Sequence, residues 1–169
     1  TTLRRLRTGP FAGLPYIIHV PDHYRGDQPL PLIVDLSGGP GLAITGALAD
    51  QEALGGSGHL VVYPQAVGFW WDDRSVQAFD ALWRELLAGF DIDLNHVFLT
   101  GFSNGGTGAL LWATLWPDRF AAVAPLMGAG LPFFEANPPA VENLGRLPML
   151  FLHGDQDPII PSRASRETV

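Results

Sequence analysis

The 169-residue chain contains no cysteine, which excludes both a disulfide framework and a thiolate metal site. No apolar run approaches the ~20 residues that span a bilayer. The arginines of its opening, Arg4, Arg5 and Arg7, have no apolar segment behind them, so neither a membrane anchor nor a leader peptide is expected. Positive charge is scarce, with ten basic residues against seventeen acidic ones and a formal net charge of −7. Such a surface repels polyphosphates, and no dense basic run exists beyond the amino-terminal cluster, so nucleic acid is not an expected partner. No histidine or carboxylate pair stands at helical ligand spacing with a third partner, and no phosphate loop or dinucleotide fingerprint occurs, so neither a metal nor a cofactor is expected. Cytoplasm and secretion both remain open.

A hydrophobic content of 47% with 16% charged residues suits one compact domain over residues 1–169. Fifteen prolines and twenty glycines lie between apolar segments rather than in one tract, so they punctuate many short elements. Strands are expected at Tyr16 to Val20, Leu30 to Leu36, Leu60 to Tyr63, Val97 to Thr100, Ala121 to Leu126 and Met149 to His153, where β-branched and aliphatic residues concentrate. From Leu30 onward these runs are almost continuously apolar, as in a parallel sheet covered on both faces. The spacing of Val76, Phe79, Leu82, Leu86 and Phe90 predicts a helix over Ser75 to Phe90, with Asp73 and Ser75 available as caps. A second helix is predicted from Ser103 to Trp116, stopped by Pro117. This alternation predicts an α/β fold with a doubly wound, mostly parallel sheet, in which ligands bind beyond the carboxyl ends of the strands.

One of those ends carries Gly101-Phe102-Ser103-Asn104-Gly105-Gly106, a G-x-S-x-G pattern between a strand and a helix. A nucleophile on so tight a turn needs neighbours without side chains, because Gly101 and Gly105 pass close together beneath the exposed hydroxyl. The Asn104 amide, at the helix start, suits the oxyanion of a tetrahedral intermediate. The loop after Leu36 reads Ser37-Gly38-Gly39-Pro40-Gly41. Pro40 has no N–H, so the second oxyanion donor is expected at Gly39, with Gly38 as its neighbouring alternative. After Met149 to His153 comes His153-Gly154-Asp155-Gln156-Asp157-Pro158. A triad acid wants a fixed loop, which Pro158 supplies to Asp157; Asp155 is the alternative, read as a turn former bonding its own backbone. Trp70 and Trp71 follow the Leu60 to Tyr63 strand on the ligand side, either as a substrate wall or as packing. The irregular segment Gly128 to Asn143, containing Leu131-Pro132-Phe133-Phe134, is read as a candidate lid or substrate loop.

Together, Gly101-Phe102-Ser103-Asn104-Gly105-Gly106 and His153-Gly154-x-x-Asp157-x-x-Ile160-Pro161 resemble the phospholipase/carboxylesterase, polyhydroxybutyrate-depolymerase-like and feruloyl-esterase-like hydrolases. Leu14-Pro15-Tyr16 and Pro31-Leu32-Ile33-Val34 resemble their first strands. The resemblance implies an α/β-hydrolase fold, Ser103 as nucleophile and Asp157 as triad acid. Where this chain has Ser37, that family usually has histidine. In this fold the triad runs in the order Ser, Asp, His, yet His19, His23, His59, His96 and His153 all precede Asp157. His153 reads as structural, and the other four as satisfied surface or core residues. The family pattern continues past Ser162 with a helix, a strand and a histidine loop. The chain is therefore expected to be incomplete at its carboxyl end, or to have a second chain or segment complete its sheet.

The reading is a serine carboxylic-ester hydrolase acting on a small-molecule or polymer ester through an acyl-enzyme on Ser103. A non-catalytic binding module on the same fold and a serine peptidase are the alternatives.

Overall fold

The computed structural model describes residues 1–130 and 141–168. Six strands form one mixed sheet in the order β1-β2-β4-β3-β5-β6, built from β1 (Thr2–Arg5), β2 (Pro15–His19), β3 (Leu30–Leu36), β4 (Leu60–Tyr63), β5 (Ile92–Phe102) and β6 (Ala122–Leu126). β1, β2 and β4 pair antiparallel, whereas β4, β3, β5 and β6 run parallel. The helices are α1 (Ala43–Gly55), α2 (Asp73–Gly89), α3 (Asn104–Leu115) and the single turn α4 (Arg163–Arg166), with 3₁₀ turns at Pro117–Arg119 and Val141–Leu144. The expected doubly wound, mostly parallel α/β sheet is thus present. Of the segment Gly128 to Asn143, read as a candidate lid or substrate loop, residues 131–140 lie outside the described residues.

Parallel strands explain the runs without polar alternation, since both faces are covered. Leu32, Val34, Leu36, Val97 and Leu99 join the core of α2 and α3, whereas Ile17, Val61 and Tyr63 meet Ala43 and Ala47 of α1. α2 buries Ala78, Phe79, Leu82, Trp83 and Leu86, the stripe expected from its spacing. An aromatic cluster ties α2 to α3: Phe79 stacks on Trp112 at 4.3 Å between centroids, and Trp70 meets Trp112 edge-on at 5.5 Å.

Four local expectations change. β1 was not anticipated, because its four residues are exposed and two are arginines; it is an edge strand held by pairing with β2 rather than by burial. β5 begins at Ile92, five residues before Val97, with a register shift between Leu30 and Leu32 of its partner. Neither Asp73 nor Ser75 caps α2. Its cap position is Asp72, whose carboxylate accepts from the Phe69 N–H (2.7 Å), while Ser75 Oγ accepts from the Val67 N–H (2.8 Å). Met149 to His153 does not form a regular strand. It makes two isolated parallel bridges to β6, Val123 to Met149 and Leu126 to Leu152, and Leu150 and Leu152 stay more than half exposed.

On the α1 side, β3 carries an acid within the core. Asp35 is 3% exposed; burial, with the Asp50 carboxyl beside it and hydrogen-bonded to it, pushes its carboxyl up to about 8. A carboxyl whose folded value lies above its unfolded one binds more protons in the native state, so stability falls as pH rises between those values. Stability from Asp35 is therefore full below about pH 4 and lost progressively up to about pH 8. The isosteric change Asp35→Asn is expected to leave the melting temperature near that of the parent at pH 4.5 and to raise it by roughly 4–8 °C at pH 8.5, about 2 kcal/mol for a domain of this size. Thermal melts at the two pH values check this.

Candidate active site

β5 passes directly into α3, and at the junction Ser103 adopts φ 56° and ψ −117°, which non-glycine residues rarely enter. The spacing of the G-x-S-x-G motif is a contact requirement. A Cβ on Gly101 would lie 2.4 Å from the Gly105 carbonyl oxygen, and one on Gly105 would lie 1.7 Å from the Leu36 carbonyl oxygen. Backbone bonds hold the strained turn: the Ser103 N–H donates to Leu126 O (2.9 Å), and Met127, also at positive φ, donates its N–H to Leu152 O (2.8 Å). Such a conformation costs about 1–3 kcal/mol and persists because its surroundings over-determine it. Ser103 Oγ has no hydrogen-bond partner among the described residues.

Asn104 is the first residue of α3, so its N–H belongs to the first turn, where amides lack an intrahelical acceptor and the helix dipole favours negative charge. The Ser37–Gly41 loop approaches the same point. Its ends are fixed: Ser37 Oγ donates to Leu42 O (2.9 Å), the Trp70 indole N–H donates to Ser37 O (2.8 Å), and the Gly41 N–H bonds Gly38 O. Ser37, standing where the resembling family usually has histidine, is therefore a buried loop brace. Gly39 takes φ +57° with open space around it.

A cleft of about 620 Å³ opens over Ser103, Asn104 and Thr107 and is walled by Trp71, Ile159, Ile160 and Arg163. The two tryptophans separate here. Trp71 lines the cleft and stacks flat on Phe69 (4.8 Å, 5°), whereas Trp70 is 1% exposed and points its indole under the Ser37 loop. Trp70 as a substrate-contacting residue is corrected: it is core material supporting that loop.

Asp157 is held as its loop position suggested. Its Oδ1 accepts from the Ile159 N–H (2.8 Å) and the Ile160 N–H (3.0 Å), and these two amides, chiefly that of Ile160, lower its carboxyl from the ordinary value. Asp155 behaves differently from the expected turn former. It is an exposed residue paired with Arg166 (2.9 Å) and does not bond its own backbone. His153 is half-buried as a residue, its side chain 5% exposed, with Nε2 2.7 Å from Ile160 O and Nδ1 2.7 Å from Ser165 Oγ. A carbonyl only accepts, so Nε2 donates to Ile160 O, while Nδ1 shares a hydrogen bond with the Ser165 hydroxyl. Asp157 Oδ2 lies 3.4 Å from the same Nε2. His153 is thus a loop brace, and its partners, Ser165 Oγ and the Ile160 carbonyl, carry no signal in the sequence. Elsewhere, His96 is engaged by Asp93 (2.6 Å) and His19 Nδ1 by Thr1 (3.1 Å), but His19 Nε2 and His59 Nδ1 are buried without a hydrogen-bond partner among the described residues, so these two are not the satisfied residues expected.

The fold and this strand–turn–helix junction define an α/β-hydrolase. A family model described as phospholipase/carboxylesterase matches residues 73–169, more than half of the chain, and the chain belongs to that family. It is 32% identical over 147 residues to a protein named "Putative esterase NocK" of Nocardia uniformis subsp. tsuyamanensis, covering 79% of this chain and 41% of that protein. It is 27% identical over 156 residues to "Probable feruloyl esterase C" of Aspergillus flavus, covering 86% and 56%. A solved thermostable esterase superposes with a TM-score of 0.76 at 26% identity, over 99% of this chain and 49% of its own. The chain spans about half the length of the curated relatives it matches.

Proposed function

We propose that this chain carries the nucleophile and the acid of a serine carboxylic-ester hydrolase. The observation that carries the reading is Ser103, held at positive φ at the head of α3 with a free hydroxyl at the floor of the cleft. Oγ attacks the ester carbonyl as its proton passes to a histidine. The carbonyl oxygen, now negative, takes the N–H groups of Asn104 and Gly39, and the histidine returns the proton to the departing alcohol. Water repeats the sequence to release the acid. Asp157 orients the histidine and stabilises its cation. Its two backbone donors keep it ionised near neutral pH and fix the direction of Oδ2.

The base is not supplied by the five histidines of this sequence: none hydrogen-bonds Ser103, and the nearest in sequence to Asp157 is already engaged through both nitrogens. On this reading the base is a histidine other than these five, and a segment or second chain that brought it would also find an open edge at Leu150 and Leu152. The specific test is turnover of p-nitrophenyl acetate and butyrate by residues 1–169, by the longer natural polypeptide, and by Ser103→Ala in each. Activity confined to the longer form and dependent on Ser103 is expected. Turnover that survives Ser103→Ala would overturn Ser103 as the nucleophile, and no turnover in either form would leave the binding-module reading.

The substrate is an ester whose acyl or alcohol group lies along Trp71, and the flat Phe69–Trp71 stack suits an aromatic one. Trp71→Ala is expected to lower kcat/KM for a p-nitrophenyl or methyl cinnamate-type ester by about 10-fold while changing that for a methyl acetate-type ester by less than about 2-fold. Equal losses on both would place Trp71 outside substrate recognition.

A further inference from the structure

The Ser37–Gly41 loop is pinned at its two ends but not at its crown. Ser37 and Gly41 are each tied by hydrogen bonds to neighbouring segments, and Gly38 packs so tightly on Phe102 that a Cβ would lie 2.8 Å from its ring. Gly39 and Pro40 are different. Both are exposed, Pro40 has no N–H to donate, and a Cβ on Gly39 would meet nothing within 4 Å. Among the described residues, one hydrogen bond reaches this crown: the Asn104 side-chain amide donates through Nδ2 to Gly39 O at 2.7 Å.

The geometry points to Asn104 as a positioning residue whose side chain sets the oxyanion loop against the nucleophile turn. One residue then serves both donors: its own N–H faces the oxyanion from the helix, and its side chain fixes the glycine whose N–H faces it from the loop. The bond spans 65 residues of sequence and joins the two segments whose separation defines the oxyanion site. The Gly41 N–H to Gly38 O bond closes the turn across Gly39 and Pro40, and the Asn104 tie restrains the freedom that glycine keeps there at positive φ. An oxyanion donor acts only when held within a few tenths of an ångström of its place before the charge develops. Little fold stability is expected to be lost with the side chain, because Gly39 is exposed and water can replace the amide at its carbonyl.

This inference rests on the esterase reading, and its test separates the two. In residues 1–169, hydrogen exchange of the amides from Gly38 to Gly41 reads the loop whether or not turnover occurs. In Asn104→Ala these amides are expected to exchange about 10-fold faster than in the parent, with the melting temperature unchanged or slightly raised. In the longer, active polypeptide, Asn104→Ala is expected to lower kcat by about 10- to 100-fold with KM within about 2-fold, and to weaken an alkylboronic acid inhibitor by the same factor. Asn104→Asp, which turns a carboxylate oxygen toward the Gly39 carbonyl, loses more. Unchanged exchange in Asn104→Ala overturns the clasp itself. Faster exchange with unchanged kcat, in a protein whose turnover vanishes in Ser103→Ala, overturns the loop's catalytic role and leaves the esterase reading standing. Turnover that survives Ser103→Ala overturns both.

Discussion

Ser103→Ala is expected to abolish ester turnover in the active polypeptide, by about 10⁴-fold or more, while leaving the melting temperature within about 2 °C of the parent. The two halves of that result have separate causes. Turnover disappears because no other hydroxyl stands at the turn between β5 and α3, and what remains is the contribution of the oxyanion donors and of binding. Stability is kept because Oγ makes no hydrogen bond among the described residues, and because alanine inherits the same φ of 56°. Ser103→Gly completes the comparison. Glycine enters positive φ at no steric cost, so this variant is equally inactive yet is expected to be more stable by about 1 kcal/mol, the strain that the serine imposes. A more stable but inactive Ser103→Gly, seen beside an unshifted Ser103→Ala, identifies the backbone of this residue as held for chemistry rather than for folding.

Gly105→Ala is expected to have the largest effect on the fold. Its Cβ would stand 1.7 Å from the Leu36 carbonyl oxygen, 2.5 Å from the carbonyl carbon of the same residue and 2.9 Å from Ser37 O. All three are backbone atoms of β3 and of the loop that leaves it, so no side-chain rotation relieves the clash. Either α3 lifts away from β3 or β3 shifts along the sheet, and both movements separate Asn104 from Gly39. A loss of about 4 kcal/mol or more is expected, read by denaturant unfolding, together with loss of activity in any protein that folds. Gly89→Ala is the internal control. It closes α2 at an exposed site with nothing within 4 Å of the added methyl, so it is expected to be neutral or to stabilise by up to about 1 kcal/mol.

How far the sequence carried this account depended on whether each feature was local. Continuous apolar runs located β3 and β4 to the residue and β6 to within one. The Gly101-to-Gly106 motif announced its turn because the contacts that require those glycines follow from the turn's own geometry. Pro158 marked the Asp157 loop as stiff in the sequence, and the structure adds two amides that hold the Asp157 carboxylate. Where a position depends on distant chain, reading failed. Trp70 and Trp71 are adjacent and chemically identical, yet one lies beneath the Ser37 loop and the other faces the cleft, a difference set by the packing of Trp112 forty-two residues away. β1 has no apolar signal, since pairing with β2 alone makes it a strand. Met149 to His153 has the composition of a strand but makes only two isolated bridges to β6, and its composition does not carry that difference. The bond from Asn104 to Gly39 had no signal in either segment alone.

The most direct measurement of the central claim is the site of acylation. Whichever form turns over ester, residues 1–169 or an extended polypeptide, is mixed with p-nitrophenyl acetate, quenched in acid within the burst and digested, and the acetylated peptide is sequenced by mass spectrometry. The account predicts one acetyl group per chain, on Ser103, absent from Ser103→Ala and lost again on standing at neutral pH before the quench. A stable acetyl group on another residue, or a burst that persists in Ser103→Ala, would contradict it.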